Sequence, residues 1–188
     1  MPKLGAEPIR KAALINAAIA EVGRAGCLDV TVAQIARAAG MSPALAHHYF
    51  GSKEQMFLAA MRHILAGYGQ SVRRALPGGG PRARLDAIVH ASFDDDNFRR
   101  DVISAWLNFY ALSLTSRDAG RLLRVYHARL RSNLMHALRP LTPHPDRVAR
   151  TLGALIDGVY LRAVLTPGPT DPAAARDIVT DYLNEALT

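Results

Sequence analysis

The chain has 188 residues, 49% of them hydrophobic, with 23 lysines and arginines against 16 carboxylates and a net charge of +7. That length carries one or two domains with a real core, and the positive balance suits a phosphate-bearing partner. A single cysteine excludes an intrachain disulfide, and no apolar run approaches the length of a membrane span.

The first thirty residues lack the apolar core of a signal peptide, which makes the cytoplasm the expected compartment. Ile15, Ala18, Ile19 and Val22 recur on one helical face, so residues 8–25 are predicted to form a first helix. Gly26 ends it, and Cys27 reads as a small buried residue filling the junction. Next, Val32, Ile35, Ala36 and Ala39 fall at i, i+3, i+4 and i+7 behind Thr31, whose hydroxyl suits an N-cap. Gly40 stands where this helix must stop and reverse, a position that favours φ above zero. Ser42 is a second N-cap, and Pro43 takes the first helical position, where its missing N–H costs nothing. Ala46 and Phe50 face one core, which leaves Pro43, Ala44, His47 and His48 pointing elsewhere. Gly51 and Ser52 close this helix and cap the next, which Lys53 opens.

Two short helices joined by a Gly-led turn have the build of a DNA-reading unit, in which one helix enters the major groove and phosphate contacts hold it there. The charge agrees, since +5 falls in residues 1–75 and only +2 in residues 76–188. Residues 9–56 resemble the N-terminal domain of the TetR family of bacterial transcriptional regulators. The specific part is the ending His48-Tyr49-Phe50 followed by Ser52-Lys53. The resemblance implies phosphate contacts by Thr31, Ser42, Tyr49 and Lys53, and an approach to base edges by Pro43, Ala44, His47 and His48. Pro43-Ala44 replaces the family's frequent Lys-Gly or Lys-Ala, and His47 and His48 stand where tyrosine is common. Those departures bear on the operator sequence rather than on docking. The resemblance further implies a helix-turn-helix DNA-binding domain at residues 7–56 and a helical effector-binding and dimerisation domain at residues 57–188.

Helical periodicity continues to the C-terminus with no convincing period of two, so the expected fold class is all-α. Residues 53–75 form a long connecting helix, weakened in its second half by Gly67 and Gly69. Residues 77–81, reading PGGGP, are a loop and a boundary between functional halves; no strand precedes them and no GK[ST] follows, as a phosphate cradle needs. Further helices are predicted at 82–93, 98–115, 118–139, 144–165 and 171–187. Asp94, Asp95 and Asp96 read as a capped, solvated helix start or as the source of an inward counter-charge. Trp106, Phe109 and Tyr110 share one helical face. Such a group of π-faces suits a cation, above all a quaternary ammonium, which has no hydrogen bond to donate; the same spacing serves plain helix packing. In the last helical pair, Val148, Leu152, Leu155 and Val159 form one stripe, and Ala175, Ile178, Val179 and Tyr182 another. Part of each stripe covers the chain's own core, and a second copy is expected to bury the rest as a four-helix bundle. A homodimer of this kind sets two reading heads about 34–36 Å apart, or a multiple of that, on palindromic double-stranded DNA.

Four stretches beyond the head carry a second resemblance: FDDDNF at 93–98, AWLNFYA at 105–111, RLLRVYHARLRSNL at 121–134 and LGALIDGVYLRAVL at 152–165. They are similar to the C-terminal domain of the BetI-type group of TetR regulators, the choline-responsive repressors of glycine betaine biosynthesis, and the opening MPKLGAEPIR is similar too. The resemblance implies choline as the small-molecule effector and osmoprotectant genes as the target. We assign Trp106 and Tyr110 first to the ligand site, Phe109 and Tyr160 next, and Asp157 as its anionic partner; Asp157 serves equally well as a structural bridge to Arg162 or another arginine. No HExxH pair, cysteine cluster or G-x-S-x-G is present, so no catalytic residue, metal or cofactor is expected. Two other readings stay open: a repressor of the same family answering a different small molecule, and a helical ligand-binding or interaction protein that binds no DNA. The retained Thr31, Ser42, Tyr49 and Lys53 favour DNA binding.

Overall fold

The computed structural model describes residues 6–75 and 78–188, and the regular structure among them is nine α-helices. They are α1 (Ala6–Ala25), α2 (Val32–Ala38), α3 (Pro43–Phe50), α4 (Lys53–Arg74), α5 (Pro81–Ser92), α6 (Arg100–Ser113), α7 (Arg117–Leu138), α8 (Pro145–Leu165) and α9 (Pro172–Ala186). Each predicted helix has its counterpart within two residues. The first five residues of the opening similarity, and Pro77 of the 77–81 loop, lie outside the described residues.

Local chemistry sets the head. Thr31 and Gln34 form a capping box: the Thr31 hydroxyl accepts from the Gln34 N–H at 3.2 Å, and the Gln34 side chain accepts from the Thr31 N–H at 2.7 Å. Ser42 and Ser52 cap α3 and α4 in the same sense, accepting from the N–H groups of Leu45 and Gln55 at 3.3 and 3.1 Å. Gly40 turns the chain between α2 and α3 at φ +67°, a conformation any side chain would strain. Cys27 is half-buried at the end of α1, more open than the small buried residue expected there.

Four connections seat the head on the body. α1 packs against α2, α4 and α6, and it buries Leu14, Ala18 and Val22. Its approach to α6 is so close that a Cβ on Gly23 would lie 2.3 Å from Asp101 Cβ and 2.5 Å from Asp101 Cα. Just past the end of α1, the Gly26 carbonyl accepts from Asn108 Nδ2 of α6 at 3.3 Å. At the start of α7, the Ser116 hydroxyl donates to Glu54 at 2.5 Å and Gln55 donates to Asp118 at 3.3 Å. α4 itself is the fourth connection, because it begins in the head and runs unbroken past Gly67 and Gly69 into the body. Burial of Met61, Ile64 and Val72 along its inner face outweighs the roughly 1 kcal/mol each glycine costs.

The helix predicted from residue 98 begins at Arg100. Asp94 does not cap a helix; half-buried, its carboxylate accepts from the Asn97 N–H at 2.7 Å and closes a turn. Phe93 and Phe98 pin that turn from below, edge to face at 5.2 Å. In the C-terminal hairpin the two stripes divide. Val148, Leu152, Val159, Ala175 and Val179 are buried in the chain's own core, Leu155 and Tyr182 are half-buried, and Ile178 points outward at 53% exposure. Leu161 and Leu165 of α8 join it outside. No helix among the described residues is long and apolar enough to cross a membrane.

Candidate nucleic-acid interface and effector site

Helix α3 packs against α2 and α4 through Ala46, which is fully buried, and leaves its other side open. Ser42, Pro43, Ala44, His47 and His48 are exposed there, and Thr31 and Lys53 are exposed at the starts of α2 and α4. His47 Nδ1 lies 3.2 Å from the Gly51 carbonyl. The carbonyl accepts only, so that nitrogen carries the proton and Nε2 is left as an outward acceptor while the ring is neutral. Lys53 Nζ donates to the Leu28 carbonyl at 2.8 Å, which fixes the side chain and leaves two of its three N–H donors. Tyr49 is the exception among the eight expected DNA contacts. Its ring is half-buried, with Lys11 Nζ 5.6 Å from its centroid and the His48 ring at 5.4 Å, so only its edge is on offer.

The second site lies in the body. Trp106 and Tyr110 of α6 stand beside each other at 5.8 Å. Tyr126 of α7 faces Trp106 at 4.8 Å, and Tyr68 of α4 meets Tyr126 at 6.3 Å. Tyr160 and Asp157 of α8 close the ring, with Ser92, Asn97 and Ile156 completing the wall. The Tyr110 hydroxyl donates to Asp157 at 2.8 Å, and His127 Nε2 lies 3.9 Å from the same carboxylate. The Tyr160 hydroxyl donates to the Ser92 carbonyl. Burial pushes Tyr68 up to about 12 and raises Tyr110, Tyr126 and Tyr160 as well, so all four stay neutral. Burial also raises Asp157, while the Tyr110 hydroxyl and His127 pull it back down. The space between the rings measures about 10 Å³, room for roughly one water.

Trp106, Tyr110, Asp157 and Tyr160, all assigned from sequence, therefore come together. Phe109 does not line the space: it is fully buried behind Trp106, edge-on at 5.8 Å, and props that ring. Asp157 does not bridge to Arg162 or to any other arginine among the described residues; its partners are Tyr110 and His127. Sequence reasoning missed Tyr68 and Tyr126. A signal existed, since each is the polar-tipped member of an apolar face: Tyr68 with Ile64, Leu65 and Val72, and Tyr126 with Leu122, Leu123 and Leu130.

Comparison with known proteins bears on both sites. The model for bacterial regulatory proteins of the tetR family matches residues 14–60, and that for the BetI-type transcriptional repressor C-terminal region matches residues 81–188. Over 186 residues the chain is 48% identical to the HTH-type transcriptional regulator BetI of Brucella anthropi, spanning 97% of this chain and 96% of that one. A TetR transcription regulator from Haloarcula marismortui has the same fold, with a TM-score of 0.85 at 21% identity over 96% of this chain and 100% of that one. So does a transcriptional regulator from Saccharomonospora viridis solved in complex with choline, with a TM-score of 0.81 at 22% identity over 93% and 95% of the two chains.

Proposed function

The chain belongs to the TetR family of bacterial regulatory proteins and carries a BetI-type repressor C-terminal region, and from that premise we propose that choline, entering the aromatic cage, releases it from DNA. The protein is a transcriptional repressor and not an enzyme; regulators of this family bind DNA and small-molecule effectors as dimers. One observation carries the choline reading: four tyrosines and the chain's single tryptophan converge around one carboxylate. A trimethylammonium group gives no hydrogen bond, so π-faces and a nearby negative charge are what select it, at up to about 2 kcal/mol per desolvated ring. The choline held by the Saccharomonospora viridis regulator of the same fold supports the choice. Control of glycine betaine genes follows from the same reading.

The head, residues 7–56, reads a palindrome through Pro43, Ala44, His47 and His48, with Thr31, Ser42, Tyr49 and Lys53 on phosphates. Residues 57–188 hold the effector and the dimer contact. The cage is too small for a trimethylammonium group until its rings part, and Tyr68 belongs to α4, which begins at Lys53 in the head. Parting the rings therefore moves α4, and with it the distance between the two heads of a dimer. The shift in DNA affinity is bounded by the difference in choline affinity between the two states.

The test is calorimetric titration with choline and with its uncharged tert-butyl analogue, beside a mobility shift on the protein's own promoter DNA. Choline is expected to bind at least tenfold more tightly than the neutral analogue and to dissolve the DNA complex. Equal binding of the two would remove the cage reading, and a promoter fragment that never shifts would remove the DNA interface.

A further inference from the structure

A cavity of about 630 Å³ opens between α4, α5 and α7, and its wall includes Tyr68 and Tyr126, the same two residues that wall the cage. The two spaces are neighbours with a two-tyrosine partition. The larger one is of ligand size. Four arginines line it, Arg62 and Arg73 from α4, Arg84 from α5 and Arg129 from α7, and no carboxylate does. None of the four makes an ion pair with a described residue. Arg73 folds back over its own helix, with Nη1 3.5 Å from where a Cβ on Gly69 would stand. Between the arginines the wall is apolar, with Leu65, Val72, Ile88 and Leu130.

Four guanidinium groups with no counter-charge repel a lone cation and attract an anion, and guanidinium forks match phosphoryl oxygens. Through the partition lies a cage of the opposite preference. We propose that the two spaces together take a choline phosphoester, its trimethylammonium in the cage and its phosphoryl group among the arginines of the larger cavity, so that phosphocholine is a stronger effector than choline. The proposal rests on the cage reading above and adds the anionic half of the ligand. The apolar wall accommodates the methylene bridge, or a further alkyl chain if the ester comes from a lipid.

Trp106 is the chain's single tryptophan and stands in the cage, so its fluorescence reports occupancy there. The full-length protein is titrated with choline, phosphocholine, inorganic phosphate, and a short-chain lysophosphatidylcholine kept below micelle formation. Phosphocholine is expected to perturb Trp106 at concentrations at least tenfold lower than choline, with an advantage that shrinks as salt rises. Inorganic phosphate should leave the fluorescence unchanged. Arg129→Gln, at an exposed position, is expected to weaken phosphocholine at least threefold, and the Arg84→Gln/Arg129→Gln pair to bring it near choline, with choline itself unaffected. A tighter lysophosphatidylcholine assigns the ester to lipid, and a weaker one assigns it to the soluble pool. Phosphocholine no tighter than choline, or an advantage that survives both replacements, overturns the proposal while leaving the choline reading intact. If phosphocholine binds through the arginines and choline does not bind, the proposal stands and choline itself is not the effector. Silence toward all of these ligands overturns both.

Discussion

In the proposed choline reading, Asp157 is the residue on which effector chemistry turns. It is the carboxylate on the cage wall, half-buried, and burial raises its pKa even though the Tyr110 hydroxyl and His127 oppose the rise. A cation needs it ionised. As pH falls through that raised value Asp157 takes up a proton, and its attraction for choline is lost. Choline affinity is thus expected to be highest at neutral pH and above, and to decline on acidification earlier than an ordinary aspartate would dictate. Asp157→Asn should cost about tenfold in affinity, roughly 1.4 kcal/mol, and remove most of the acid-side decline. Calorimetry across the acidic range checks both, and an unaltered pH profile in the variant would place the charge elsewhere. The same scale shows why assignment from sequence was partial. Trp106 and Tyr110 lie one turn apart, so their shared face is a local property. Tyr68 and Tyr126 join them only because α4 and α7 pack side by side, which no local pattern encodes.

At the scale of elements, α1, α4 and α6 join the head to the body. α6 carries Trp106 and Tyr110 on one side and touches α1 at Gly23 on the other. Replacing Gly23 with alanine puts a methyl group against the Asp101 backbone, which cannot swing aside as a side-chain tip would. The helices must separate, at an expected cost of about 1–3 kcal/mol, with a fall in DNA affinity as the head tilts. Gly67→Ala is the matched control. Nothing lies within 4 Å of its added methyl and the position is helical, so it should stabilise by about 0.5–1 kcal/mol. Thermal unfolding of the two variants checks the pair, and equal shifts would mean the α1–α6 approach is looser than drawn. Helix boundaries were legible from caps and periodicity, since Thr31, Ser42, Ser52 and Gly40 act within one turn of themselves. The α1–α6 approach was not, because Gly23 inside a helical pattern looks like any other glycine until its neighbour is known.

In the proposed mechanism the molecule as a whole is a lever, and a dimer doubles its output. Leu161, Leu165 and Ile178 project from α8 and α9, exposed by 45%, 70% and 53%. Large apolar groups left exposed on the C-terminal hairpin suit burial in an isologous contact. Leu161→Asp together with Ile178→Asp is expected to yield a folded monomer that no longer holds a palindromic site, because each half-site contact alone is too weak. Sedimentation velocity and helical content by circular dichroism test this; a dimer that survives both changes would move the contact to another face. What the sequence determined by itself was the kind of protein. Nine helices among the described residues, a head capped residue by residue, and a hairpin with apolar groups left outside its own core are all written within single turns and single faces. What only the tertiary structure decided was where α4, α6, α7 and α8 bring their tyrosines together, which aspartate stands among them, and which half of each C-terminal stripe faces out. Those are contacts between residues far apart in the chain, made by side-chain packing between helices, and periodicity along one helix carries no information about its neighbours.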